Sequence, residues 1–518
     1  MKESTVKYFV LLPVLLLCIF YIWKATSFPV HDFANYYFGA KFLAESHFAS
    51  WIYFPYPFNK AISNLGYVNI FVSYAPNTPF LALLFLPVSF LPMAAAKLAF
   101  NSLGVILFVF TLKRFADYYK INLFFILLVP ILFFVPIKNE LLFGQVYFLL
   151  FFLLGEGWLA YEKKSYLRMS IFLAFAIFLK VFPILLVAVF VFRKQWRALG
   201  YVAISCAILL SVSIASGGLD VWVFYLKNVL PKASNGEISD GFVANYQSLF
   251  MFLKQLLVFD STQNPNAIFN SPVLFYALML AVKIKLIVIG FYVTRKSNNS
   301  LYVFSYWLLV MLVISPYGST YGFILLVFPF FAVIKSPVPG IQKIIGCVLI
   351  FAVSNVPLPI FLSYSFPFNY LRLMALVLLF ALFLAWMYHY IEFKILGLAV
   401  TIPFILTLIF KKYESTLSKS LLAKDAPILI YDYTIENNRL TYSYWNENGA
   451  NSASVPFEAG DTAVAKLYRN QIYYKGNRLT SDQSNKIKPV VIDNATLIFL
   501  SDADRGIGFY NLRKTNLR

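Results

Sequence analysis

The chain has 518 residues, 60% of them hydrophobic and 13% charged, with 56 Phe and 35 Tyr. No water-soluble protein of this size hides so much apolar surface, so lipid must solvate most of it. The net charge of +20 does not point to nucleic acid, because the basic residues sit in short clusters between apolar runs: Lys113-Arg114, Lys163-Lys164, Arg193-Lys194 and Arg295-Lys296. Cytoplasmic loops of membrane proteins carry such clusters.

The chain opens with Lys2 and Lys7 before "YFVLLPVLLLCIFYIW", without a small-residue cleavage site. This reads as an uncleaved first helix over about residues 6–25. Next comes "SFPVHDFANYYFGAKFLAESHFASW", residues 27–51. Phe33, Tyr36, Tyr37, Ala40, Leu43, Ala44, Phe48 and Trp51 recur at three- and four-residue intervals, with Asn35, Lys41, Glu45 and Ser46 opposite. The pattern predicts an amphipathic helix lying in the membrane interface, aromatic face down. Asp32 stands at its N-cap position, where it can satisfy orphan backbone N–H groups or present a carboxylate at the membrane surface.

Further apolar runs predict helices near residues 74–91, 93–112, 122–137, 143–161, 166–192, 197–216, 273–294, 300–314, 318–335, 341–361, 370–391 and 393–410. Pro183 splits the 166–192 run, which reads as two short helices that enter and return. If the basic clusters face the cytoplasm, the 217–272 loop, the turn at 315–321 and the tail lie outside. One conflict remains: two full spans between Tyr74 and Lys113 would put that lysine outside. Cys18, Cys206 and Cys347 all fall in apolar runs, and His31, His47 and His389 are far apart. No disulfide framework or metal site is expected.

Composition changes near Lys411-Lys412. From Glu414 onward there are 13 Lys/Arg and 11 Asp/Glu, which leaves 30 of 43 basic and 12 of 23 acidic residues to the first part. The excess charge therefore belongs to the membrane domain, residues 1–412. The tail, 413–518, alternates apolar and polar residues in "ILIYDYTI", "RLTYSYW", "QIYYKG" and "VVIDNATLIFL", as half-buried strands do. Asn437-Asn438, Asn448-Gly449 and Gly476-Asn477 are the expected turns. "SDADRGIGFY" lacks the closing Glu of a calcium loop and reads as a polar turn before a last strand. The fold class is thus a polytopic α-helical membrane protein, about 11–13 membrane helices, with a small C-terminal antiparallel β domain.

Several patches, in order, resemble glycosyltransferase family 87 of the GT-C superfamily. They are "HDFANYYFGAKFLAE", "YAPNTPFLALLFLPVSFLPMAAAKLAF", "FGQVYFLLFFLL" with Tyr147 in place of Asn, "LAFAIFLKVFPILL", "NYQSLFMFL" with Tyr246 inserted, and "SPYGSTYGFILLVFPF". The family includes polyprenyl-phosphate-mannose-dependent α-mannosyltransferases. Many members carry a His pair after the last patch; here Tyr321 or Tyr317 stands nearby instead. The β tail lies outside the resemblance.

The resemblance implies a polyprenyl-phosphate sugar as donor substrate, a glycan or glycolipid as acceptor, no separate cofactor and no metal. It also implies a bacterial plasma (inner) membrane location with the C-terminal domain on the extracytoplasmic side. A lipid phosphate is already a good leaving group, so the chemistry needs one base for the acceptor hydroxyl rather than two carboxylates. Asp32 is the acid best placed, and direct attack with a single base implies inversion. Lys180, ending an apolar run before Pro183, is the candidate cation for the leaving phosphate; otherwise it snorkels to the interface. Arg372, after "SFPFNY", is expected at the outer rim, as an anchor or a substrate contact. Gln145, between apolar neighbours, wants another helix or a sugar hydroxyl as partner. Asn245 and Gln247 in the outer loop can read sugar hydroxyls, His31 can touch substrate beside Asp32, and Glu140 is a second carboxylate. Two other classes stay open: a lipid or sugar transporter (flippase), against which no inverted repeat counts mildly, and a surface-polysaccharide ligase or polymerase. The 217–272 loop has three lysines and no Arg, unlike the arginine-rich outer loops of such ligases.

Overall fold

The computed structural model describes residues 9–243, 245–260, 263–410, 419–422, 426–458 and 460–517; the boundary expected at 412–413 lies outside them. Within the described residues, each expected apolar run is largely helical. Among the described residues, five helices are long and apolar enough to cross a membrane by themselves: Met93–Tyr118, Trp196–Gly217, Pro272–Lys296, Phe368–Tyr390 and Phe393–Phe410. Leu123–Leu132 and Phe134–Phe143 form a pair bent by 64°. The rest are shorter, Leu12–Thr26, Ser300–Ile314, Thr320–Lys335 and Gly340–Asn355 among them. The protein is therefore a polytopic membrane protein, with fewer full-length spans than the 11–13 expected by counting apolar runs. Hydropathy registers an apolar run whether it crosses the bilayer or packs inside the protein.

Side-chain bonds sort the helix ends onto two faces. Arg193 donates to Tyr161 Oη at 3.0 Å and to the Thr294 carbonyl at 3.2 Å, and Arg295 donates to the Phe192 carbonyl at 3.0 Å. Arg114 pairs with Glu156 at 3.1 Å, Trp158 donates to Tyr119 Oη at 3.0 Å, and Ser300 to Glu162 at 2.8 Å. All four basic clusters thus share one face. This resolves the conflict at Lys113. Pro79–Phe90 is too short to cross, so Met93–Tyr118 makes the single passage that brings Lys113 to the basic face.

The 166–192 run starts and ends at that same face. It breaks at Lys180, whose backbone is extended (φ −145°, ψ 131°) after the helix Tyr166–Leu179. Deep in the molecule, the Thr78 hydroxyl bonds the Phe178 carbonyl at 2.5 Å. The run enters and returns, with Lys180 at its turning point.

The helix behind Asp32 differs from expectation. It runs His31–Ala44, followed by a separate 3-10 turn Ser50–Tyr53. It does not lie on lipid: Phe33, Ala34, Phe38 and Ala40 are fully buried, and Tyr36, Tyr37 and Phe42 nearly so. The aromatic stripe and part of the opposite side both pack against protein, which raw periodicity cannot distinguish from a lipid-facing stripe. The helix begins after Val30 without a side-chain cap, so Asp32 sits inside its first turn rather than at the cap.

In the tail the strands are β1 Lys419–Ser420, β2 Leu429–Glu436, β3 Arg439–Asn446, β4 Gly449–Pro456, β5 Thr462–Val464, β6 Lys466–Tyr468, β7 Gln471–Tyr474, β8 Asn477–Arg478, β9 Lys486–Ile492, β10 Thr496–Ser501 and β11 Asn511–Asn516. An antiparallel sheet in the order β1-β11-β10-β9-β5 lies between two three-stranded sheets, β2-β3-β4 and β6-β7-β8. Alternation along β10 explains the layering: Ile498 and Leu500 pack on the β2–β3 side, Leu497 and Phe499 on the β7 side. Asn437 and Asn438 take positive φ (51° and 57°) in the two-residue β2–β3 turn, as their short polar side chains allow. The β7–β8 turn is Lys475-Gly476, one residue earlier than expected. "VVIDNATLIFL" is not one strand: Asp493 and Asn494, both at positive φ, turn the chain between β9 and β10.

The segment "SDADRGIGFY" is more than a polar turn, because it docks the tail on the membrane part. Asp502 is fully buried and accepts from the Lys232 ammonium at 3.1 Å, the Asn485 N–H at 2.8 Å, Asn485 Nδ2 at 2.7 Å and the Gly508 N–H at 3.0 Å. Ile507 joins the core of the membrane part. A Cβ at Gly506 would lie 1.9 Å from the Ile238 carbonyl oxygen, so only glycine admits this approach. Beside it, Tyr56 stacks on Tyr431 with ring centroids 3.8 Å apart.

Candidate active site

The site forms where the His31–Ala44 helix meets the start of the helix Tyr147–Glu162. That helix is 16 residues long, ~24 Å, and its far end carries Tyr161, bound to Arg193 at the basic face. Asp32 therefore lies toward the face opposite the basic clusters. The β tail docks on this face too, through the outer segment 218–271.

Gly144 makes the junction. It ends the helix Phe134–Phe143 in the left-handed conformation, φ 66° and ψ 49°, and a Cβ there would come within 2.8 Å of Phe33 Cβ. The turn delivers Gln145 to the first helix. Gln145 is 5% exposed; its Nε2 donates to Asp32 Oδ2, and its Oε1 accepts from the Tyr36 hydroxyl at 2.8 Å. The amide is thus held at both ends. Its orientation is set by Tyr36, which lies one helical turn from Asp32 and so shares its face.

Three more groups complete the cluster. Glu140 is 1% exposed; one oxygen accepts the Phe148 N–H at 2.9 Å and the other has no hydrogen-bond partner among the described residues. Lys180 stands with its ammonium 5.9 Å from the Tyr147 ring centre, within electrostatic range of Asp32 and Glu140 but in no ion pair with either. The Tyr147 ring lies 5.2 Å from that of Tyr321, which also senses the Asp32 charge. Lys180 is not snorkelling to a surface. Its side chain is half-buried, beside the Tyr147 ring and within electrostatic range of two carboxylates.

The other candidates are distributed around this centre. Gln247 is buried; its Nε2 donates to the Asn369 carbonyl at 2.9 Å while its Oε1 is without a partner. Asn245, two residues earlier, is exposed. Between them Tyr246 is in electrostatic contact with Asp32 and packs its ring 5.2 Å from that of Tyr317. Arg372 is not at the rim. It is 1% exposed, donates to Thr320 Oγ1 at 2.7 Å and the Val356 carbonyl at 2.8 Å, and leaves Nε without a partner. Thr320 adjoins Tyr321, so Arg372 braces the turn that presents that ring. His31 begins the helix, and its side chain lies outside the described residues. Two contributors, Tyr36 and Tyr147, were not singled out as site residues by sequence. For Tyr36 the four-residue spacing from Asp32 was the available signal.

An ionisable cluster inside apolar helices is expensive and marks chemistry or transport. Residues 75–316 match the family model for glycosyltransferase family 87. This region is similar to the glycosyltransferases of family 87. The match supports a membrane glycosyltransferase; it contains Gln145, Lys180, Asn245 and Gln247, whereas Tyr321 follows its end closely and Asp32 and Arg372 lie well outside it. No curated protein matches the chain.

Proposed function

We propose that this glycosyltransferase moves a hexose, mannose by the family's known members, from a polyprenyl-phosphate donor to a glycan or glycolipid acceptor on the extracytoplasmic side. The observation that carries the reading is the Asp32 carboxylate, oriented by the Gln145 amide and facing the Lys180 ammonium at the face opposite the basic clusters. By the positive-inside tendency those clusters mark the cytoplasm. Asp32 and the β domain then lie on the extracytoplasmic side of a bacterial plasma membrane.

The roles follow from charge. Asp32 accepts the proton of the acceptor hydroxyl, and the oxygen attacks the anomeric carbon. The bond from that carbon to the phosphate oxygen breaks, and its electron pair leaves with the lipid phosphate. Attack opposite the leaving group inverts the anomeric carbon. Lys180 offsets the charge that gathers on the phosphate, and it acts strongly because apolar helices exclude water around it. Gln145 and Tyr36 orient the base. Tyr321, with Arg372 behind it, lines the donor side where family members carry histidine. Asn245 and Gln247 flank Tyr246 on the acceptor side, and His31 adjoins the base.

The test uses purified protein in lipid with a panel of polyprenyl-phosphate hexoses. Transfer by the wild type, abolished by Asp32→Asn with the unfolding midpoint unchanged, supports the reading. Unaltered transfer in Asp32→Asn removes it and moves the base to Glu140.

A further inference from the structure

A cavity of about 400 Å³ lies between the outer segment and the β domain. Asp32 is not among its lining residues, and no role in transfer has yet been given to it. From the membrane part it is lined by Phe242, Lys254, Phe259 and Asn270, and from the β domain by Lys419 and Arg505, among others. We propose that this cavity binds a neutral oligosaccharide, the part of the acceptor remote from the attacked hydroxyl. The proposal rests on the glycosyltransferase reading above and extends it to the acceptor.

Size, lining and position carry it. The volume lies within the ~300–1,000 Å³ of small-molecule sites, which favour domain interfaces. Its wall mixes aromatic side chains with polar and charged ones. A saccharide needs this mixture, since its ring faces are apolar and its edges carry hydroxyls. Four basic and three acidic side chains line the cavity, close to balance, which disfavours a polyanion. Phe259 keeps 48% of its surface exposed, although an aromatic ring beside charged groups would gain by cover.

Position ties the cavity to the reaction. Phe242 and Phe250 both line it. Tyr246, midway between them, is in electrostatic contact with Asp32. Tyr317, packed against Tyr246, donates its hydroxyl to the Ala233 carbonyl, two residues before the lining residue Asn235. Phe242 and Phe250 thus border the cavity, while Tyr246, between them in sequence, lies within electrostatic range of Asp32. The docked loop of the β domain supplies the opposite wall through Ala503, Asp504 and Arg505.

The experiment is saturation-transfer NMR on the full chain in lipid nanodiscs, with mannotriose and chitotriose as neutral probes and trigalacturonate as an anionic one. At least one neutral trisaccharide is expected to bind, with affinity lowered at least tenfold by Phe259→Ala and by Asn270→Ala. Asp32→Asn, which is outside the cavity, should bind like the wild type. Absence of neutral binding, binding of the anion alone, or affinity unchanged in both cavity variants overturns the proposal. If binding maps to the cavity but the wild type transfers no hexose, the transfer reading fails and the saccharide site stands. If transfer needs Asp32 but binding ignores the cavity, the reverse holds.

Discussion

Two buried polar clusters in this molecule solve opposite problems. Around Asp502 every interaction is saturated: the carboxylate takes bonds from Lys232, both nitrogens of Asn485 and the Gly508 backbone. Around the Asp32–Gln145 pair the cluster is incomplete: among the described residues one Glu140 oxygen lacks a hydrogen bond, and the Lys180 ammonium makes neither a hydrogen bond nor an ion pair. Saturation fixes one arrangement and holds two domains together. Incompleteness costs stability, and in exchange it leaves donors and acceptors turned toward whatever enters. The same residue types thus make a clamp in one place and a reaction centre in the other.

The sharpest way to break this comparison is at the base. Asp32→Asn should lower transfer by about 10²–10⁴-fold, the usual worth of a general base, with the unfolding midpoint in detergent unchanged. A midpoint that falls while transfer persists would make Asp32 a clamp like Asp502. Lys180→Met comes next, with a loss of about 10²–10³-fold in kcat for removing one stabiliser of developing charge. An effect confined to donor KM would show ground-state binding only.

Asp502→Ala leaves the half-buried Lys232 with only Glu237 at 3.7 Å as a carboxylate partner and strips the acceptor for Asn485 and the Gly508 N–H, and it should destabilise by about 3 kcal/mol. Proteolytic release of the β domain would then accelerate, while chemistry at saturating acceptor changes little. A transfer defect at saturating acceptor would show that the two clusters are coupled.

Glu237, next to the seam, gives a pH test. Burial pushes its carboxyl up to about 7, against the pull of Lys232 and Lys254, with Asp504 and Asp502 adding to the rise. The folded state thus binds a proton more tightly than the unfolded chain. Stability should increase as pH falls from 8 through 7 toward 4.5, by at most about 3 kcal/mol. Glu237→Gln should abolish that part of the dependence, read as the difference in unfolding midpoint between the two proteins across the range. An unchanged profile in the variant would assign the dependence elsewhere.

The smallest effect is expected at Tyr36→Phe. It removes the bond that holds Gln145, worth about 1 kcal/mol, or about fivefold in transfer. Gln145 would still reach Asp32, so the loss should appear in kcat with donor KM unchanged. No change in kcat would mean that packing alone orients the amide.

Much of this was legible in the chain itself. Apolar runs located each helix because lipid and protein interior reward the same residues. Period-two alternation found the β2, β3, β7, β9 and β10 segments, and Asn437-Asn438 marked a turn because few other pairs take positive φ cheaply. Short strands such as β5 and β6 carry too few residues for a period to show. The polar residues Asp32, Gln145 and Lys180 stood out because their surroundings were apolar. What they meet did not, since Asp32 and Gln145 are 113 residues apart.

The amino-acid sequence by itself determined the membrane class, the two-part organisation, the helix positions and the residues too polar for their neighbourhood. These follow from local composition and period, which each segment carries alone. The tertiary structure decided which runs cross and which return, the burial of the Asp32 helix, the depth of Arg372 and the docking of the β domain through Asp502. Each of these depends on which distant segment supplies the other half of a contact, and no single stretch of chain contains that information.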